Sequence, residues 1–276
     1  MISRRAVLTT SAAAIAATGV RLDAAPGKKA QFHLGVASYS FRKFSRAQAI
    51  QMTRELGVTY IDIKDFHLPL TSTPEELRAA RKEFEDAGLV IEGGGTITFA
   101  KDDDADMRQK FDYAKNAGLP LMVCAPTHET LPRLEKFVKE YDIKIAIHNH
   151  GPEDHNFPTP QSALDAVKNL DPRCGLCIDV GHTARTGADV VESIRQAGPR
   201  LLSMHLKDLA SMSAKESQCD VGDGKMPIPR IFEQLIAMNY SGGAMLEYEI
   251  HADNPMPGMQ RSISYMKGVL AGLQEG

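Results

Sequence analysis

From residue 32 onward the chain alternates between short apolar runs and longer segments whose apolar positions recur at helical spacing. The runs fall at 33–37, 60–63, 90–92, 121–124, 144–148, 175–179, 201–205 and 244–247, each of strand length. Helical patterns fill the gaps at 45–56, 74–87, 104–117, 129–141, 161–170, 188–197 and 228–238, and a last one follows at 259–273. This is the rhythm of a parallel sheet, whose neighbouring strands need a crossover between them. Eight units with no low-complexity linker and no interior repeat predict an α/β fold of one closed (β/α)8 TIM barrel rather than an open doubly wound sheet. Thr73-Pro74-Glu75-Glu76 starts one helix with a cap and a first-turn proline, and Gly88 and Gly118 end two others. Gly93-Gly94-Gly95 follows the third run without the G-x-G-x-x-G spacing of a dinucleotide loop, and is expected to form a tight strand-to-loop turn.

A length of 276 residues with 43% apolar composition fits one domain of this kind. The formal net charge of -3, with no Lys or Arg run longer than two after residue 30, lacks the basic footprint of a nucleic-acid binder. Residues 1–30 differ in character. Arg4-Arg5 precedes an almost uncharged stretch at 9–20, a pattern that resembles a twin-arginine export signal. The expected domains are therefore a signal and linker at 1–30 and a barrel at 31–276, with the mature chain beginning near Pro26 and the protein periplasmic or otherwise exported. The apolar stretch is too short to span a bilayer, which takes about 20 residues, so no stable membrane insertion is expected. Four cysteines in an exported chain invite a disulfide reading. Cys174 and Cys177, however, flank one apolar strand at positions that point to opposite faces, and buried free thiols are expected instead.

Metal-competent side chains gather at the carboxyl ends of the fifth to eighth runs, the end where a parallel barrel builds its site. They read Ile147-His148-Asn149-His150, Ile178-Asp179-Val180-Gly181-His182, Met204-His205-Leu206-Lys207-Asp208 and Leu246-Glu247-Tyr248-Glu249. Strand alternation puts His148 with His150, His205 with Lys207, and Glu247 with Glu249 on common faces. The deeper member of each pair is expected to hold a divalent metal and the outer one to reach substrate or orient a ligand. A set of imidazoles and carboxylates suits Mn2+, Co2+, Zn2+, Fe2+ or Mg2+ without choosing among them.

Ile145-Ala146-Ile147-His148-Asn149-His150-Gly151, Ile178-Asp179-Val180-Gly181-His182 and Met204-His205-Leu206-Lys207-Asp208 together resemble the sugar phosphate isomerase/epimerase family of xylose isomerase-like barrels. Residues 37–42 after the first strand, Lys64-Asp65-Phe66-His67 after the second and Val221-Gly222-Asp223-Gly224 after the seventh fit the same pattern, so the resemblance spans 32–270. It implies metal ligands at His148, Asp179, His205 and Glu247, with His150, His182 and Lys207 on the substrate side and Arg42, Lys64 and His67 as substrate contacts. One position departs. The epimerase branch carries at the fifth strand a glutamate that also serves as an acid/base group, and here that position is His148.

The resemblance implies a small-molecule sugar substrate and abstraction of the proton beside its carbonyl through an enediolate, with Glu247, Glu249, His150 or His182 as base. Returning the proton makes a sugar isomerase or epimerase, the leading expectation. Expelling a β-substituent makes a lyase or hydratase of 3-keto-glycosides or inosose-like sugars, which His148 and export favour. An endonuclease IV-like repair enzyme is disfavoured by the mild acidity, the export signal and too few further ligands at the other strand ends. A non-catalytic sugar-binding barrel is the remaining alternative.

Overall fold

The protein is described here by a computed structural model covering residues 29–275, so all but the last two residues of the expected export signal lie outside the described residues. Strands β1 (His33–Ala37), β2 (Tyr60–Ile63), β3 (Val90–Phe99), β4 (Leu121–Pro126), β5 (Lys144–His148), β6 (Cys174–Asp179) and β7 (Leu201–Leu206) precede a small hairpin of β8 (Asp208–Leu209) and β9 (Gln218–Cys219), and β10 (Gly243–Leu246) comes last. All strands but the hairpin pair close into one parallel barrel in which β10 returns to β1. Helices α1 (Arg46–Glu55), α2 (Pro74–Asp86), α3 (Asp104–Ala117), α4 (Leu131–Tyr141), α5 (Pro160–Val167), α6 (Val180–Arg185), α7 (Val190–Ala197), α8 (Ile228–Ala237) and α9 (Met256–Glu275) carry the crossovers. The expected single (β/α)8 barrel is what forms. No helix among the described residues is long and apolar enough to cross a membrane.

Local chemistry accounts for many of the boundaries. Ser45, Thr73 and Thr159 each close a capping box over the first turn of α1, α2 and α5. Gly118 ends α3 in the left-handed conformation that glycine adopts without steric cost. The strands present two faces. Val36, Ile61, Ile63, Met122, Cys124, Ile145, Ile147, Leu176, Ile178, Met204 and Leu206 belong to the large core between barrel and helices. The opposite faces of β4, β5 and β6 carry a much smaller apolar cluster of Leu121, Val123, Ala146 and Cys177. With strand alternation, His148, Asp179, His205 and Asp62 share that inward direction. The barrel axis is therefore unusually polar for a layer that barrels commonly fill with branched aliphatic residues.

One sequence expectation needs correction. Gly93-Gly94-Gly95 is no turn after a short third strand; it lies inside β3, which runs on to Phe99. Glycine is required there by crowding. A Cβ on Gly93 would sit 2.9 Å from Asp62 Oδ1, one on Gly94 2.7 Å from Leu119, and one on Gly95 2.0 Å from the Val123 carbonyl oxygen. Pairing of β3 slips register on both sides over this stretch. The stretch after Asp179 forms the short helix α6 and the chain after β7 the β8–β9 hairpin, two elements that the hydrophobic rhythm did not mark. Cys124, Cys174, Cys177 and Cys219 are all free thiols, as the strand geometry predicts for the Cys174 and Cys177 pair.

Candidate active site

Neighbouring strand ends bring four of the expected residues together. Register pairs Asp179 with His205 across β6 and β7, while His148 ends β5 and Glu247 follows β10 by one residue. Their donor atoms all lie within 4.8 Å of one another, and the side chains are almost wholly buried. His148 Nε2 stands 2.9 Å from His205 Nδ1 and 3.6 Å from Asp179 Oδ2, and His205 Nδ1 is 3.3 Å from Glu247 Oε2. Burial pushes the His148 imidazole down to about 3, against the pull of Asp179, so it is neutral and has a lone pair to give. Asp179 Oδ2 has no aligned hydrogen-bond donor although it is fully buried. Two imidazole nitrogens and two carboxylate oxygens so placed, with Asp179 Oδ2 left without an aligned donor, fit a divalent cation. His148, Cys177 and His205 form an overlapping set. Burial raises the Cys177 thiol, which keeps it protonated and makes the carboxylate-bearing set the better one. Of the pair left open by the sequence, His148 lies in this cluster and His150 at the mouth, 38% exposed.

Asp179 shows how one carboxylate serves two tasks. Its Oδ1 accepts from the His182 backbone N–H and caps α6, which leaves Oδ2 for the cluster. Lys207 is not in an outer layer. Its Nζ is buried 2.9 Å from Asp179 Oδ2, 2.8 Å from Glu247 Oε2 and 2.5 Å from Glu249 Oε1. Burial alone would lower the lysine, but these three carboxylates hold its pKa well above the ordinary value. Burial would likewise raise Asp179, yet Lys207 and the neighbouring histidines hold its carboxyl far below the usual range. Asp208, next in sequence, turns the other way and accepts from the backbone N–H groups of Leu209, Gly222, Gly224 and Met226. The Lys-Asp pair thus splits between the site and the loop that walls it.

Around the mouth, His150 and His182 stand with ring centroids 5.7 Å apart. Arg42 donates from Nη2 to the Glu249 carbonyl and covers the Tyr39 ring, so it fixes the loop that carries Glu249. Lys64 also approaches Tyr39, and burial lowers its pKa while Glu247 and Glu249 oppose that effect. His67 does not face the site. It is fully buried, with Nε2 donating to the Phe44 carbonyl at 3.1 Å and Nδ1 2.9 Å from the Ser38 hydroxyl, so both ring nitrogens are spent on tying the first two strand-end loops together.

Three residues that sequence reading passed over belong to the site. Asp62 lies below His205, 3.8 Å from its Nε2, and neither of its buried carboxylate oxygens has a hydrogen-bond partner. Its one sequence signal is a charge in the middle of the apolar run Tyr60-Ile61-Asp62-Ile63. Arg185 and Glu153 pair beside His182, and nothing in their spacing marks them. A cavity of about 540 Å3 is lined by Glu92, Leu121, Lys144, Leu201 and Gly242 among others. These are residues at the starts of strands, so the cavity opens at the end of the barrel away from the ligand cluster.

A family model for the xylose isomerase-like TIM barrel matches residues 50–269. Inosose dehydratase of Lactiplantibacillus plantarum is 26% identical over 148 residues, 46% of this chain and 48% of that protein. Inosose dehydratase of Mesomycoplasma hyopneumoniae is 24% identical over 161 residues, 51% of this chain and 53% of its own. The chain thus aligns with about half the length of these relatives. Among solved structures, the IOLI protein with a bound zinc atom superposes with a TM-score of 0.72 at 17% identity, covering 87% of this chain and 99% of that one. L-ribulose 3-epimerase superposes at 0.70 and 16% identity, covering 88% and 95%. At such identities the structural likeness establishes the fold.

Proposed function

Since the chain belongs to the xylose isomerase-like TIM barrel family, we propose that it is a metal-dependent enzyme that removes the proton beside the carbonyl of a polyhydroxy ketone and then expels a β-hydroxyl as water. The observation that carries this reading is the buried ring of His148, Asp179, His205 and Glu247 with the Lys207 ammonium against its carboxylates. A divalent ion held by His148 Nε2, Asp179 Oδ2, His205 Nδ1 and Glu247 Oε2 would act as a Lewis acid on the carbonyl and on the charge that develops when the neighbouring proton leaves.

The chain's own groups supply the rest. Burial lowers the His150 pKa, so it stands at the mouth as a neutral imidazole able to accept a proton. Lys207 stays an ammonium and offers N–H donors to an oxygen that gains charge or departs. Loss of water is favoured over proton return by the inosose dehydratase relatives. Isomerisation or epimerisation is the second reading, favoured by the epimerases that share the fold. The Arg4-Arg5 pattern supports an unphosphorylated sugar met outside the cytoplasm.

Metal analysis of purified protein, followed by proton NMR in D2O with inosose, free ketoses and 3-keto-glycosides, tests this. Dehydration should appear as loss of the α-proton signal, with the β-proton moving to the vinylic position of the enol or the partly deuterated methylene of the diketone. A product epimeric or isomeric with the substrate and carrying deuterium at the α-carbon would establish the second reading. Neither product nor exchange with any of these sugars in metal-loaded protein would sink both.

A further inference from the structure

His150 and His182 flank the mouth of the site as near neighbours, but the groups behind them are of opposite character. Arg185 Nη1 lies 3.1 Å from His182 Nδ1 in hydrogen-bonding geometry. A guanidinium has donors and no acceptor, so Nδ1 must be the accepting nitrogen. His182 is then neutral, with its one ring proton on Nε2. Arg185 is well placed to hold this state. It follows His182 by three residues on the same face of α6, its side chain is 7% exposed, and its Nη2 is paired with Glu153 across the loop after β5. Gly151 leaves room for the pair, since a Cβ there would sit 3.3 Å from His182 Nδ1 and 3.4 Å from Arg185 Nη1.

His150 meets a carboxylate instead. Asp154 Oδ1 accepts from the backbone N–H groups of Asn156 and Phe157, and Oδ2 faces His150 Nδ1 at 3.5 Å. An ionised carboxylate only accepts, so it favours the proton on His150 Nδ1 and leaves the Nε2 lone pair free.

We propose that Arg185 is a positioning residue that locks His182 as the Nε2–H tautomer, making His182 a hydrogen-bond donor to a substrate oxygen and leaving proton acceptance to His150. The donor role toward substrate rests on the function proposed above; the tautomer assignment does not. The proton taken by His150 comes from the carbon beside the carbonyl, and the electron pair of that C–H bond moves into the carbonyl system. No proton moves to or from His182.

The test is long-range proton–nitrogen NMR of histidine-15N-labelled protein loaded with Zn2+, which is diamagnetic. We expect His182 to show an unprotonated Nδ1 and a protonated Nε2. Arg185→Ala should erase this pattern, giving averaged nitrogen shifts, and kcat should fall by roughly 10–100-fold with bound zinc unchanged. Adding guanidinium at millimolar concentration should restore part of both. Glu153→Ala, which removes the ion pair but not the donor, should keep the wild-type His182 spectrum. With any sugar that the wild type exchanges, His182→Gln, whose amide keeps an N–H donor, should slow washout of the α-proton into D2O without abolishing it, whereas His150→Gln should abolish it. A protonated His182 Nδ1 in the wild type, an unaltered spectrum in Arg185→Ala, or loss of exchange in His182→Gln alone would overturn the proposal. Should Arg185→Ala fail to fold, the wild-type spectrum still decides. Absence of exchange in the wild type would count against the function above while leaving the tautomer measurement intact.

Discussion

A carboxylate buried without a donor is costly, and Asp62 has both oxygens in that condition at the barrel axis. What it faces is His205 Nε2, the nitrogen turned away from the ligand cluster. Metal-binding imidazoles commonly give their second N–H to a carboxylate, which fixes the ring and strengthens the donor. Asp62→Asn keeps the shape and removes the charge. We expect it to weaken divalent-ion binding by about 10–100-fold while changing metal-free stability little, because the relief from burying a charge is offset by the loss of its attraction to the His205 imidazole, whose pKa is held well above the ordinary value. Calorimetric titration of the metal-free variant with Zn2+ and a urea melt measure both, and unchanged affinity would leave Asp62 without this role. The convergence of His148, Asp179, His205 and Glu247 was legible because strand alternation and a common strand-end position are periodic signals. Asp62, Arg185 and the spent ring nitrogens of His67 were not, since each depends on a neighbour distant in sequence or on which nitrogen meets which partner.

The hydrophobic rhythm located every barrel strand, and most helix starts carried their own caps. It failed where backbone crowding or a local cap overrides composition. Glycines that read as a turn are the interior of β3, because β2 and β4 approach too closely for a side chain. The segment after Asp179 folds as α6 because that aspartate caps it. The loop after β7 is held in the same spirit by Asp208, whose two oxygens take four backbone N–H groups, from Leu209 of the hairpin and from Gly222, Gly224 and Met226 beyond it. Removing the carboxylate strands several buried donors, each worth about 1–3 kcal/mol when unpaired, with water recovering part of the loss. Asp208→Ala should therefore lose roughly 3–5 kcal/mol in urea denaturation and open the 210–217 segment to limited proteolysis. Asp208→Asn, which keeps one accepting oxygen, should fall between the two. A loss under about 1 kcal/mol would mean that the clasp is replaced by solvent at no cost.

At the scale of the whole molecule, stability and chemistry are laid out in different layers. The outward strand faces and the helices share the large apolar core, whereas the inner cluster is only Leu121, Val123, Ala146 and Cys177. The upper barrel axis instead holds Asp179, Lys207 and two imidazoles, all buried, and the nearly buried Glu247. Burial would raise the Glu247 carboxyl, but His205 and Lys207 keep it well below the ordinary range, so the site presents charged oxygens and not neutral acids. Such a centre contributes little to folding by itself, because desolvation of the ions offsets most of their attraction. A bound cation changes that balance, since a ligand that binds the folded chain alone stabilises it by mass action. At about 100 times the dissociation constant the gain is ~2.7 kcal/mol, which for a domain of this size raises Tm by roughly 5–10 °C. Protein stripped by a chelator and dialysed should show that rise when Zn2+ or Mn2+ is returned, in a thermal melt followed by circular dichroism. His205→Ala and Asp179→Asn should remain folded and show little of it, because each removes one donor from the ring without touching the outer core. An equal rise in those variants would place the stabilising ion elsewhere on the chain, and no rise in the parent would remove the metal from the function proposed for this barrel.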